Sequence, residues 1–253
     1  LIPLGPGEQI QTMLATKNPK EGDLLVLATH LGEVKALKEG ALSNIQARGL
    51  IVMDLEASDE LVSVKQLGDA QDVVMVSETG QSIRFPIRNL APRSRTAGGV
   101  RGMRLRQDDK VVTMLTVTPD DRLLVVSEGG YGKATPLSMY PTQTRGGLGV
   151  RTFKVTDKTG RVAAARVVSE TEGQEVFIIS AMAQVVRINL EDVRITGRDT
   201  QGVIVWRDRD PDDYVASIAC FQETDYSEEI PQANSKQSEE QSEEKADEES
   251  DEE

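Results

Sequence analysis

The chain has 253 residues but one cysteine, one histidine and one tryptophan, and only 4% of its residues are aromatic. A single thiol, Cys220, excludes an intrachain disulfide and suits a reducing compartment. The lone histidine, His30, falls in a hairpin turn with no second ligand at metal-site spacing, so it reads as a turn residue. Sparse aromatics argue against gripping single strands by base stacking. No apolar run exceeds a few residues, so no segment reads as a membrane-spanning helix. The start, Leu1-Ile2-Pro3-Leu4-Gly5-Pro6, lacks the basic region of a signal peptide. It also lacks an initiator methionine.

Catalytic constellations are missing as well. Tyr131, Tyr140, Tyr214 and Tyr226 have no acid–base partners around them in sequence and read as packing or surface residues. The paired acids Asp108-Asp109 and Asp120-Asp121 read as solvated turn residues, since turns favour Asp. The Gly-rich turns lack the G-x-x-x-x-G-K-[ST] spacing of a nucleotide-binding loop, and no helical pattern follows them.

The net charge is −13. It is unevenly placed. From Glu223 onward there are 14 acids against Lys236 and Lys245, a local charge of −12, whereas residues 1–222 carry −1. The acidity is a tail, expected to be disordered because it has too little apolar surface to offset ordering entropy. The body is neutral, with bases gathered in particular turns, so the overall charge does not exclude an anionic partner.

Those turns recur. Gln143-Thr144-Arg145-Gly146-Gly147-Leu148-Gly149-Val150-Arg151 is echoed by Arg48-Gly49-Leu50, by Arg95-Thr96-Ala97-Gly98-Gly99-Val100-Arg101, and by Arg198-Asp199-Thr200-Gln201-Gly202-Val203. The final glycines Gly49, Gly99, Gly149 and Gly202 are spaced 50, 50 and 53 residues apart. Around each turn the same order of strands is expected. A buried apolar run (Leu24–Ala28, Val73–Val76, Leu123–Val126, Val176–Ile179) precedes a tight turn with Gly32, Gly80 or Gly130. Ala183 replaces that glycine in the fourth copy, where a different turn type is expected. An alternating strand follows, then the basic turn. A further strand is expected after it (Leu50–Leu55, Met103–Arg106, Thr152–Val155, Val203–Trp206), then an acidic turn and a closing strand.

Four or five strands in roughly 50 residues, without helical period, is the pattern of a propeller-like array. Each unit is too small to bury its own faces, so neighbours must stack. Two β-sandwiches are the alternative, but they do not require the regular recurrence. The expected divisions are the end of a truncated repeat at 1–22, four repeats at about 23–70, 71–119, 120–172 and 173–222, and the tail at 223–253. Leu4, Glu8, Ile10, Thr12 and Met13 match Leu55, Asp59, Leu61, Ser63 and Val64, so the chain is expected to open mid-repeat as part of a longer protein.

Radial stacking would bring equivalent bases together: Lys35, Lys38 and Arg48; then Arg84, Arg88, Arg93, Arg95 and Arg101; then Lys133, Arg145 and Arg151; then Arg187, Arg194 and Arg198. A positive band of this kind could follow a duplex phosphate backbone without reading bases.

Gly80-Gln81-Ser82-Ile83-Arg84-Phe85, Thr96-Ala97-Gly98-Gly99-Val100-Arg101-Gly102, Gly130-Tyr131-Gly132-Lys133 and Gly197–Ile204 resemble the C-terminal domain of DNA gyrase A over residues 1 to about 222. The resemblance implies an all-β, propeller-like pinwheel, six-bladed in the full domain, with strands exchanged between blades. It implies duplex DNA wrapped on the basic rim, in support of ATP-dependent negative supercoiling by a type II topoisomerase. It implies no cofactor within this segment, ATP and magnesium being held by other domains and by gyrase B. The implied partners are double-stranded DNA, gyrase B and the rest of gyrase A in an A2B2 heterotetramer, with neither a membrane nor a small-molecule substrate. A bacterial, cytoplasmic, nucleoid-associated location follows from the same likeness. The family's Q-R-R-G-G-x-G box belongs to its first blade; Gln143–Gly149 matches it at six of seven positions, with Thr144 for the second arginine. The similar C-terminal domain of topoisomerase IV is the runner-up, and a protein-interaction propeller is a third reading.

Overall fold

The computed structural model describes residues 4–5, 7–14, 23–43, 49–68, 70–169, 174–207 and 209–222. Most of the truncated first repeat, Arg48 and the acidic tail lie outside these residues. The chain divides into two compact units, Leu1–Cys220 and Phe221–Glu253. The first carries the fold; the last two residues of the final strand fall in the second.

The first unit is a succession of small antiparallel sheets. The first repeat supplies β1 (Leu24–Thr29), β2 (Glu33–Lys38) and β3 (Leu61–Gln66). The second supplies β4 (Asp72–Ser77), β5 (Gln81–Pro86), β6 (Val100–Arg101) and β7 (Val111–Val117). The third supplies β8 (Arg122–Ser127), β9 (Tyr131–Pro136), β10 (Val150–Arg151) and β11 (Val162–Val168). The fourth supplies β12 (Gln174–Ser180), β13 (Val185–Asn189), β14 (Val203–Ile204) and β15 (Val215–Gln222). Among the described residues the helical pieces are four short 3-10 turns, each directly after the second strand of a repeat.

Sheets and repeats do not coincide. The sheet orders are β3-β1-β2-β6, β10-β5-β4-β7, β11-β8-β9-β14 and β13-β12-β15. Three sheets therefore take their fourth strand from the following repeat. Val100 and Arg101 pair with Val34 and Glu33, Val150 and Arg151 with Ser82 and Gln81, and Val203 and Ile204 with Gly132 and Tyr131. The strand expected after the basic turn is two residues long; it lies ahead of the expected Met103–Arg106 and Thr152–Val155 and keeps only the first half of Val203–Trp206. In each case it precedes an anchor, Met103, Phe153 or Trp206, that is buried. No strand forms at Leu50–Leu55.

The apolar runs lie between two cores. Val73 and Met75 pack with Val26, Ala28, Val34 and Met103 between the first two sheets. Val74 and Val76 point the other way and pack with Leu123, Val125, Tyr131 and Phe153. Leu124 and Val126 then face Val176, Ile178, Trp206 and Val215. Successive side chains alternate between faces of a strand. A sheet covered on both sides needs apolar residues at every position, so its central strand reads as a continuous run rather than an alternation. Each fully buried Val or Leu contributes about 1.5–3 kcal/mol.

Every hairpin after a first strand is built alike. A buried hydroxyl of Thr29, Ser77, Ser127 or Ser180 accepts the backbone N–H of Glu33, Gln81, Tyr131 or Gln184. Asp59, Asp109 and Asp213 accept the turn N–H groups of Leu31, Thr79 and Met182. Asp109 is thus not a solvated turn acid: it is 5% exposed, and only Asp108 beside it is open to water. The turn glycines Gly32, Gly80 and Gly130 have φ near +80°, and Ala183 keeps the left-handed geometry at φ +62. The fourth hairpin therefore does not change its turn type. It carries the conformation on a residue with a Cβ, which disfavours it.

Candidate nucleic-acid interface

Strand exchange lays each basic turn across the preceding repeat. Arg93 N donates to Ala36 O, Gln143 N to Arg84 O and Thr196 N to Ala134 O, so each segment enters along the second strand of the sheet before it. It leaves through the exchanged strand. Close approach at that point explains Gly149 and Gly202. A Cβ on Gly149 (φ +73) would sit 2.1 Å from the carbonyl oxygen of Ser82, and one on Gly202 (φ +72) would sit 2.3 Å from that of Gly132.

The turn arginines link one turn to the next. Arg95 Nη1 donates to Ile51 O at 2.8 Å, Arg145 Nη1 to Arg101 O at 3.0 Å and Arg198 Nη1 to Arg151 O at 3.2 Å. Each bond uses one of five guanidinium N–H groups and leaves the rest for an external acceptor. Arg101 and Arg151 close their exchanged strands and are exposed. Arg151 also lies 3.3 Å from Asp199, but both side chains are about half exposed, so this pair contributes little. Arg198 stacks over the Tyr140 ring at 6.0 Å.

The structure adds two bases that sequence reasoning missed. Arg104 and Lys154 are exposed, and their backbone N–H groups bind Gly147 O and Thr200 O of the next turn. Asp54 holds the same place in the first repeat, bound to Ala97 O. The signal was present, since Met53-Asp54, Met103-Arg104, Phe153-Lys154 and Trp206-Arg207 occur in register. Two junctions thus gather three bases each: Arg101, Arg104 and Arg145, then Arg151, Lys154 and Arg198.

The other expected residues fall in different places. Lys35, Lys133 and Arg84 do not face solvent as a rim contact must. Both lysines are 0% exposed, with their ammonium groups enclosed by backbone acceptors. Arg84 is tied to Asp72 at 2.6 Å and to the carbonyl of Leu137, with both members of the ion pair about 90% buried. Sequence places all three on the rim because it registers a base without showing which way it points. Lys38 and Arg88 are exposed but stand at the far end of β2 and just beyond β5, opposite the exchanged strand. Arg93 and Arg194 are exposed on the segments entering the turns. Arg187 is on β13, 3.4 Å from Glu175. Arg48 lies outside the described residues.

No grouping of three or more His, Cys, Asp or Glu able to hold a metal occurs among the described residues. His30 Nδ1 meets Val111 O at 2.9 Å, a structural bond from the first hairpin to the start of β7. No helix among the described residues is long and apolar enough to cross a membrane.

This arrangement has close parallels. The family described as DNA gyrase C-terminal domain, beta-propeller, matches residues 23–67, 71–118, 121–169 and 174–222. The DNA gyrase A protein of Dehalogenimonas lykanthroporepellens is 40% identical over 229 residues, covering 88% of this chain and 28% of that protein. That of Chlamydia muridarum is 35% identical over 213 residues, covering 83% and 25%. The chain thus spans about a quarter of the length of these curated relatives. A solved DNA gyrase A C-terminal domain superimposes with a TM-score of 0.77 at 28% identity, over 86% of this chain and 72% of that one. The C-terminal domain of DNA topoisomerase IV superimposes with a TM-score of 0.78 at 20% identity, over 87% and 68%, a likeness of fold.

Proposed function

Because the chain belongs to the DNA gyrase C-terminal domain family, we propose that it is the DNA-binding and DNA-wrapping part of a gyrase A protein. The observation that carries this reading is the arginine–carbonyl series Arg95–Ile51, Arg145–Arg101 and Arg198–Arg151. It joins successive basic turns into one line across the sheets. Duplex DNA carries one charge per ~1.7 Å of axis, so a line of this kind meets phosphates at every junction whatever the sequence. Following it, the duplex bends. Elastic bending costs on the order of 1–6 kcal/mol for tens of degrees, which repeated phosphate contacts offset.

In the parent enzyme the wrap would hand a neighbouring DNA segment to the strand-passage machinery and bias it toward negative supercoils. The strand-breaking tyrosine and the ATP and magnesium sites would belong to the remainder of gyrase A and to gyrase B, assembled as A2B2. The site is proposed to act in the bacterial cytoplasm, at the nucleoid. The gyrase rather than the topoisomerase IV reading is favoured by gyrase A relatives at 35–40% identity.

The test is the salt dependence of binding to a duplex of about 40 base pairs. The native chain should show a steep slope, and replacing Arg95, Arg101, Arg145, Arg151 and Arg198 by alanine should flatten it by about four to five. Equal slopes would sink the reading.

A further inference from the structure

Lys35 and Lys133 have no exposed surface, yet each aims its ammonium group at the underside of a basic turn from the next repeat. Lys35 Nζ donates to the carbonyl oxygens of Val52, Arg95 and Ala97, each at 2.7 Å. Lys133 Nζ donates to Gly197 O at 2.6 Å, to Arg198 O, and to Thr200 Oγ1 at 3.1 Å. Three donors meet three acceptors in both places. A lysine is costly to bury, and a hydrophobic residue serves at the equivalent position of the second sheet. There Ile83 lies three residues after Gly80, as Lys35 and Lys133 lie three after Gly32 and Gly130. Its Cδ1 packs under Gly147, 3.6 Å from where a Cβ would be. Packing alone does not demand a charge at this point.

The lysines act on the residues that form the interface. Arg95 and Arg198 are each held twice, by the guanidinium on the neighbouring turn and by the carbonyl on the buried lysine. We propose that Lys35 and Lys133 are positioning residues for DNA binding, drawing the carbonyls of the following basic turn inward so that its arginine and N–H groups face the phosphates. A carbonyl left free at the surface would turn its partial negative charge toward the duplex. This inference rests on the DNA-binding reading above.

The two lysines also make binding pH-sensitive. Burial pushes Lys133 down to about 8, with Asp199 opposing the shift and Arg198 reinforcing it. Burial lowers Lys35 too, helped by Arg93 and Arg95 and opposed by Asp54. The Phe153 ring, 5.9 Å from Lys133 Nζ, is uncharged. Phosphates brought to Arg198 favour the protonated amine, so binding takes up a proton once the free protein has begun to lose it. A shift of one pKa unit corresponds to up to about tenfold in affinity.

The experiment measures duplex affinity of the full chain from pH 7 to pH 9 at constant salt. It compares the native protein, Lys133→Met, Lys35→Met, and Arg145→Ala, whose turn lies over Ile83. The native affinity should fall about three- to tenfold across this range. Lys133→Met should bind at least about fivefold more weakly at pH 7 and show a flatter pH profile. A Lys133→Met protein with native affinity and a native pH profile would overturn the inference. Amide hydrogen exchange in the native chain keeps the question open to refutation if that variant does not fold. Residues 197–202 should change their protection between pH 7 and 9 relative to residues 143–149, and equal behaviour of the two turns overturns the inference. If the native chain fails to bind duplex, the DNA-binding reading itself falls. If it binds, and Arg145→Ala weakens binding while the lysine variants do not, only the positioning role falls.

Discussion

Arg145 donates from Nη1 to the carbonyl oxygen of Arg101, 3.0 Å away. That one bond joins the third basic turn to the end of the strand that the second repeat lends to the first sheet. Two cations are thereby held side by side, although 44 positions separate them. An external polyanion is the natural counter-charge for such a pair, since neither Arg101 nor Arg145 forms a salt bridge with a carboxylate among the described residues.

Replacing both by alanine should weaken duplex binding and lower the salt slope by about two, near 0.9 for each phosphate no longer neutralised. The fold should hold, because exposed substitutions of this kind usually change stability by less than about 0.5 kcal/mol. Anisotropy titrations at several salt concentrations, with a melting curve for each variant, check both parts.

Arg104 and Lys154 should behave as members of the same surface. Alanine at either should reduce the salt slope by about one without altering sequence preference. The same change at Arg88, beyond the far end of β5, should leave the slope as it was. Parallel titrations of the three variants decide this.

Gly149→Ala should break strand exchange between the third repeat and the second sheet. Its Cβ would meet the backbone of Ser82 at 2.1 Å, and φ there is +73. A loss of at least about 2 kcal/mol is expected from strain of this kind. Gly147→Ala is the control, since its nearest neighbour would be 3.6 Å away and its φ is not left-handed. Urea denaturation should separate the two.

Arg84→Ala should be among the costliest single changes. It strands Asp72 in an environment where both partners are about 90% buried, and it removes the bond to Leu137 O that fastens the third repeat to the second sheet. Removing one partner of a buried pair costs about 3–5 kcal/mol. Thermal and urea unfolding measure it.

Lys133 should make global stability rise with pH between about 8, its folded value, and the ordinary 10.5. In that window the unfolded chain binds the proton that the folded chain has released, so alkalinity favours folding. The trend runs opposite to that expected for DNA affinity. Unfolding midpoints of the native chain and Lys133→Met at pH 7.5 and 9.5 check it, with the rise absent or smaller in the variant.

The repeat was readable because its causes are local. Gly32, Gly80 and Gly130 mark left-handed turns, and the Val- and Leu-rich runs mark strands covered on both faces. The basic turns stood out because Arg and Gly recur there at an almost constant interval. Which bases face outward was harder to read. Lys35 and Arg95 are equally cationic in the sequence, but one is enclosed and the other lies on the surface. Arg104 and Lys154 are hidden in the sequence because each falls in a run that reads as a strand and does not form one.

By itself, the sequence determined the all-β character, the segregation of negative charge into the tail, and the family. Composition, periodicity and turn chemistry act within a few residues, and they survive without knowledge of what packs against what. Only the tertiary structure decided that each basic turn belongs to the sheet before it, that Lys35 and Lys133 support that turn from beneath, and that Arg95, Arg145 and Arg198 run on as one line. Those outcomes depend on pairings between residues far apart in the chain, such as Arg145 with Arg101, 44 positions away, and Val150 with Ser82, 68 positions away. They arise where a two-residue strand completes a neighbour's sheet, and no local preference encodes that choice of partner.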